Sequence, residues 1–370
     1  MKALLKICFQ IISGVMLVIA IFAVGSMLSA FSAASSSATP RSFQLIVSDD
    51  VSQNALSVYI GSFIFSIVAE IALKNGFYGE AGYFILFVLT IIVFTIVILT
   101  FLRWVERISK LGRLEHTIKK VEGATVEVIK KRLEEPLMGG VPIKKRTDKG
   151  IAVFSNQIGY IKYINVDSLQ DFAKTADVII SLNCMPGTFT SPDKPILFVI
   201  SQQGKSPDID KERLNKAFVI DNSRSFYDDP RFGLIALSEI ASRALSPGIN
   251  DPGTAIAIIG SHVRLFVLWL EKGKKIYPQK IKYDRIEVPE IALDDIFYDA
   301  FRPIARDGAG NIEVMLRLQK AFTTIAFIGS DEVKEITLTH SLDAYQRAEL
   351  VIENKRDLEM LKEECPQTKN

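Results

Sequence analysis

Three long apolar runs, all placed before the charge density of the chain rises, constrain the fold more than any other feature. Residues 7–31 hold only Gln10 and a few serines as polar interruptions, residues 55–73 carry one carboxylate, Glu70, and residues 83–102 carry no charge. About 20 apolar residues suffice for an α-helix to cross ~30 Å of hydrocarbon, so each run predicts a membrane span, the first with some tilt. Only KNGFYGEAG, Lys74 to Gly82, separates the second and third, which predicts an antiparallel hairpin. A hydrophobic content of 48% and a mean hydropathy of +0.23 agree, being high for a wholly soluble chain.

Charge sets the expected orientation. Between Arg103 and Lys120 six Lys/Arg face two Glu, which predicts that the third span ends in the cytoplasm and that everything after it stays there. The hairpin tip is then outside and the connection from Ser35 to Asn54 inside, with Arg41 as its only basic residue. Three spans put Met1, Lys2 and Lys6 outside, against the positive-inside trend, so either the N-terminus is outside or a further segment precedes it. MKALLK resembles a charged leader, but small residues continue the helical pattern through Ser29, Ala30, Ser32 and Ala33 and predict an uncleaved span. The small residues of the first span fit close helix packing, with a hydroxyl-lined path as the alternative. Arg41 and Glu70 are the candidate functional residues of this region. Glu70 stands four residues before Lys74, the spacing of an interfacial ion pair.

After the spans, residues 105–149 read as a basic juxtamembrane helix, Val105 to Leu133, and a Pro/Gly-interrupted linker. Residues 150–206 are β-rich, with strands expected at 159–165, 178–183 and 196–200 and a helix at 166–175, which suggests a small β-barrel or sandwich. Residues 207–370 are helical. Asp229-Pro230 and Asp251-Pro252 are paired cap-and-proline starts, and further helices are expected over 289–305, 310–329 and 331–364, the last a solvated outer helix or weak coiled coil. VRLFVLWL, 263–270, is apolar on nearly every face, as for a buried or subunit-interface helix. Flanked by His262, Arg264 and Glu271, it is too short for a fourth span. The fold class is therefore an α-helical polytopic membrane region, residues 1–104, followed by a cytoplasmic α+β region.

The chemistry is sparse. Cys8, Cys184 and Cys365 stand apart with no CxxC pair, and His116, His262 and His340 are scattered, so neither a disulfide framework nor a metal site is expected. No cofactor motif, phosphate loop or nucleic-acid-binding pattern occurs. The densest polar cluster is ASRALSPGINDPGTAIA, Ala241 to Ala257. A helix C-terminus, a turn and a capped second helix account for Pro247, Gly248, Asp251 and Pro252, but leave Arg243 and Asn250 unexplained. Arg243, Ser246, Asn250, Asp251 and Thr254 are thus either a ligand-binding or subunit-contact constellation or a structural motif. Ser246 lacks the G-x-S-x-G setting of a hydrolase nucleophile.

Three stretches carry a resemblance: SSSATPRSFQLIVSDD after the first span, GYIKYINVDSLQDFAKTADV with MPGTF in the β region, and DDPRFGLIALSEIASRALSPGINDPGTAIA in the helices. In these the chain resembles the bacterial predicted membrane-protein family known as domain of unknown function 2254 (DUF2254). The resemblance implies a polytopic inner-membrane protein with a cytoplasmic domain and implies no activity. Proteins of that kind usually carry another hydrophobic segment ahead of the first span and two histidines where the last span leaves the membrane. Arg103-Trp104 stands at the latter position here, so no role for those histidines carries over. The expected function is a nonenzymatic channel, transporter-like or sensory homo-oligomer in the bilayer, with a cytoplasmic regulatory domain and an unidentified ion or small-molecule ligand. The alternative is a membrane-anchored enzyme with its site around Arg243 to Thr254.

Overall fold

The computed structural model describes residues 2–37, 39–47, 50–111, 113–144, 150–201, 209–273 and 281–366. It divides into two compact units, Met1–Lys120 and Val121–Asn370.

The first unit is built from α1 (Lys2–Ser37), α2 (Pro40–Val47), α3 (Asp50–Lys74) and α4 (Glu80–Leu111). Leu5 and Phe9 of α1 meet Ala69 and Leu73 of α3 and Leu86 of α4, while Met16, Ala20 and Ala23 meet Ala55, Tyr59, Val97 and Trp104. These two clusters make α1 and α4 each antiparallel to α3. Alanines and serines occupy the buried faces, among them Ala20, Ala23, Ala55, Ser62, Ser66 and Ala69, because small side chains let membrane helices approach closely. The hydroxyls of Ser62 and Thr90 donate to backbone carbonyls one turn back, Val58 and Leu86, which satisfies them within their own helices. Large apolar side chains such as Ile21, Phe22, Val68, Ile71, Ile85 and Ile92 face outward, as a surface solvated by lipid requires. Each of α1, α3 and α4 is long and apolar enough to cross a membrane.

Glu70 pairs with Lys74 at 2.9 Å and accepts from Gln10 Nε2 at 3.3 Å. A helix i,i+4 pair whose lysine stays exposed contributes little, so Glu70→Gln is expected to leave insertion and melting unchanged. Loss of insertion, scored by protease protection, would give the carboxylate a larger role.

One expected helix is two. The basic stretch 105–133 is shared between α4, which continues to Leu111, and α5 (Leu114–Glu134), with an Arg113 N–H to Lys110 carbonyl turn between them. In the second unit the strands are β1 (Val141–Pro142), β2 (Ile151–Phe154), β3 (Gly159–Ile164), β4 (Val178–Leu182), β5 (Phe189–Thr190), β6 (Pro195–Ser201), β7 (Phe218–Asp221) and β8 (Ile286–Val288). They form a mixed five-stranded sheet, β1-β8-β4-β6-β2, and an antiparallel three-stranded sheet, β5-β3-β7. Val153, Ile161, Ile180, Val199, Phe218 and Ile286 from the two sheets share one apolar core with Leu169 and Phe172 of α6 (Val166–Thr175). Asn165 caps α6 through the Ser168 N–H, and the short α7 (Lys211–Asn215) leads into β7. β8 lies parallel to β4, with Ile180 opposite Ile286. The buried Gln170 amide holds the approach to β8 by donating to Asp284 and accepting from the Arg285 N–H.

The helical part comprises α8 (Pro230–Ala244), α9 (Pro252–Gly273), α10 (Leu293–Asp307), α11 (Ile312–Ile328), α12 (Asp331–Glu349) and α13 (Lys355–Glu364). The single helix expected over 331–364 is broken, since α12 ends at Glu349 and the Asn354 side chain caps α13 by accepting from the Arg356 N–H. Nor is α12 solvated all round: Val333, Thr337, Ser341, Ala344 and Ala348 form a buried stripe of mostly small residues. Phe266, Phe297, Phe301 and Phe322 interlock at the centre of the bundle, with ring centroids 4.7–5.9 Å apart. By length and composition α9 is a fourth helix able to cross a membrane, against the three expected from the sequence.

Candidate functional site

The Arg243–Thr254 connection closes on itself through hydrogen bonds. Ser246 Oγ donates to the Arg243 carbonyl at 2.7 Å, the N–H groups of Ile249 and Asn250 reach the Ser246 carbonyl, and the Asp251 N–H reaches Ala244. Asn250 has φ 49°, the left-handed conformation that Asn tolerates better than most residues, which accounts for a residue the sequence left unexplained. Asp251 caps α9: Oδ1 accepts from the Thr254 N–H at 3.1 Å and Oδ2 from the Thr254 hydroxyl at 2.6 Å. Asp251→Ser is therefore expected to keep the melting temperature near wild type and Asp251→Ala to cost about 0.5–2 kcal/mol. Equal losses in both variants would contradict the capping role. Arg243 is partly buried near the end of α8, and Arg41 is exposed on α2. The five motif residues are brought together; Arg41 and Glu70 belong to the other unit.

Two cavities lie elsewhere in the second unit and share Pro186 in their walls. The larger, about 450 Å³, is bounded by the 183–189 turn, by Arg224 and Asp229-Pro230-Arg231, and by the segment leading into α10. Arg224 grips Asp229 with two hydrogen bonds of 2.6 and 2.9 Å. Asp229, 3% exposed, also caps α8 by accepting from the Arg231 N–H. Arg231 in turn binds Asp299 and Asp295, each at 2.6 Å. Gly187 closes the turn with φ +94°, and a Cβ there would stand 2.3 Å from Asp229 Oδ2, so only glycine allows the backbone this close. Cys184, in the same wall, is buried and its thiol is pushed up to about 12, which removes it as a nucleophile. All three cysteines are free thiols.

The smaller cavity, about 200 Å³, borders Asp228 where the larger borders Asp229, and is lined by Lys131 and Arg132 of α5, Tyr163 and Tyr283 among others. Lys131 pairs with Asp228 at 2.5 Å, and Arg132 Nη2 donates to the Asp228 carbonyl at 3.2 Å.

A third polar group sits within the helices. Ser238 on α8 and His262 on α9 meet at 3.1 Å, both 0% exposed. The Ser238 hydroxyl donates to the Ala300 carbonyl at 2.7 Å, so the imidazole donates from Nε2 and its Nδ1 carries a lone pair with no hydrogen-bond partner. Burial takes this imidazole down to about 3, with Glu122 opposing. A serine–histidine pair sealed in the core, its hydroxyl proton already committed, offers no reach to a substrate. Next to it Glu122 of α5 accepts both Arg264 and Ser261 at 2.6–2.7 Å, and the Arg264 guanidinium, followed by the Ser261 hydroxyl, holds the carboxyl below its usual range.

The MPGTF and DDPRF stretches, 44 positions apart from Gly187 to Arg231, thus line one cavity together. Over residues 4–324 the chain matches the family described as "Predicted membrane protein (DUF2254)". The chain belongs to this family. Both cavities and the Arg243–Thr254 loop fall within the matched residues, while α12 and α13 lie beyond them. An uncharacterized protein of Mycobacterium tuberculosis is 30% identical over 105 residues, covering 27% of this chain and 20% of that protein. The chain therefore matches only about a fifth of that relative's length. No solved structure matches the chain. The shared family identity is that of a membrane protein and brings no activity with it.

Sequence reasoning singled out DDPRF as a helix start and missed its second use. Asp228 and Asp229 line different cavities; Lys131 and Arg132 reach Asp228 from almost a hundred positions away, whereas Arg224 stands only five residues before its partner Asp229. The local signals were the pair of acids, since a single Asp suffices for a cap, and the arginine five residues before Asp229.

Proposed function

We propose that the protein is a nonenzymatic sensor of the bacterial inner membrane whose cytoplasmic unit binds a small polar ligand in the larger cavity. One observation carries the reading: two separate stretches that mark the family converge on that cavity, where a glycine that admits no side chain and two arginines line the same space. The arginines are held rigid by carboxylates, the preorganised wall that ligand pockets use. We read the two sheets, which share one core, as a small sandwich that positions the turn at Gly187.

In this reading three helices cross the bilayer and α9 belongs to the cytoplasmic unit. Support comes from its burial. Ala255, Ile258, Ile259, Leu265, Phe266 and Leu270 are all buried, and 44% of its apolar window is covered against 17–28% for α1, α3 and α4. Its polar residues His262 and Arg264 are matched by Ser238 and Glu122. Val267, Leu268 and Trp269 stay partly exposed and suit contact with a second copy, in line with a homo-oligomer.

The test is a thermal-shift screen of the intact protein in detergent against small polar metabolites, repeated on Ala292→Trp, which fills the cavity mouth from an exposed position. The reading expects a stabilising compound whose effect disappears in the variant while the unliganded melt is unchanged. Stabilisation that survives the tryptophan would place the ligand elsewhere and end this reading.

A further inference from the structure

The smaller cavity holds an imbalance that the protein itself does not resolve. Arg132 is 8% exposed, yet its Nη1 has no hydrogen-bond partner, and its Nη2 bond to the Asp228 carbonyl is long at 3.2 Å. A buried guanidinium with a free donor is costly unless something accepts from it. The carboxylates around the cavity are not that acceptor. Asp228 is taken by Lys131 at 2.5 Å, Asp167 by Lys282 at 3.4 Å, and Glu135 is exposed and forms no ion pair with Arg132. The space, about 200 Å³, exceeds the ~30 Å³ that one water occupies. Its other walls are apolar or phenolic: Val128, Met138, Ile164, Val166, Tyr163 and Tyr283.

These features specify the ligand's class. A planar acceptor with two oxygens matches the guanidinium fork. Three lining carboxylates disfavour a dianion, and the apolar walls favour a hydrocarbon tail. We infer that this cavity binds a small organic monocarboxylate, its carboxylate on Arg132 Nη1 and its chain against Val128, Ile164 and Val166. The inference does not rest on the ligand of the larger cavity. Because Asp228 adjoins Asp229, occupancy here bears on the residue that both caps α8 and anchors Arg224.

The full-length protein in detergent is titrated calorimetrically with sodium butyrate at constant ionic strength, with inorganic phosphate and n-butanol as parallel probes. Saturable butyrate binding is expected, weakened roughly tenfold or more in Arg132→Lys and abolished in Arg132→Leu, with no saturation by phosphate or butanol. Hydrogen exchange of the wild-type chain needs no variant to fold: butyrate is expected to slow exchange in residues 128–138 and 163–167. Absence of saturable butyrate binding would mean that water fills the cavity, and would overturn the inference. So would butyrate binding unchanged in Arg132→Lys, equal binding of phosphate, or protection confined to other segments.

Discussion

Asp229→Ala is expected to destabilise the second unit by about 3–5 kcal/mol, the range for breaking a buried charge pair from one side. The change removes three things at once: the two hydrogen bonds to Arg224, the cap on α8 and the carboxylate against which the Gly187 turn is packed. What remains is an Arg224 side chain only 15% exposed and without its carboxylate. Asp229→Asn separates the contributions, because its amide oxygen still accepts from the Arg231 N–H while the charge is gone. Chemical denaturation of the detergent-solubilised chain, followed by tryptophan fluorescence, reads the effect through Trp269 on α9. A loss below about 1 kcal/mol for Asp229→Ala, the scale of an ordinary exposed pair, would show that the Arg224–Asp229 contact is a surface ornament of the cavity rather than its frame.

His262 makes stability depend on pH in a defined direction. In the folded protein the imidazole stays neutral down to about pH 3, whereas in the unfolded chain it takes up a proton near pH 6.5. Protons therefore bind the unfolded state more readily between those values, so stability from this residue is complete above pH ~6.5 and declines as the pH falls toward 3. The full difference amounts to about 5 kcal/mol. Melting temperatures measured from pH 7 to pH 4 are expected to fall more steeply for the wild type than for His262→Leu. Carboxylates held low by ion pairs, such as Glu122 and Asp307, also release stability on acidification, and both proteins share that part. Parallel curves for the two proteins would mean that the imidazole is hydrated or reachable by protons in the folded state.

Legibility in the sequence followed the range of the interaction responsible. The apolar helices α1, α3 and α4 were readable as candidate spans because hydrocarbon demands a continuous apolar run, and no tertiary contact is needed to see one. Helix starts at Pro230 and Pro252 were readable because a cap and its N–H lie within three residues. Asn354 was a cap of the same local kind, but the charged periodicity on both sides of it masked the break between α12 and α13. Strand β8 was not readable at all: Ile286–Val288 is three residues long and earns its place only by pairing with β4 more than a hundred positions earlier. The candidate site divides in the same way. Asp251 and Thr254 were visible as a local motif and proved to be bonded to each other, while the Arg132–Asp228 contact and the Ser238–His262 pair depend on segments that only the fold brings together.

The placement of α9 decides whether a cytoplasmic, ligand-binding unit exists at all, and membrane topology measures it directly. Compartment-sensitive reporters inserted after Tyr78, Lys120, Gly248 and Glu353 sample the hairpin tip, the region after the third apolar helix, the loop that precedes α9 and the α12–α13 connection that follows it in the chain. Three spans followed by a cytoplasmic unit predict an outside signal at Tyr78 and inside signals at Lys120, Gly248 and Glu353. Opposite signals at Gly248 and Glu353 would make α9 a membrane span and contradict the account.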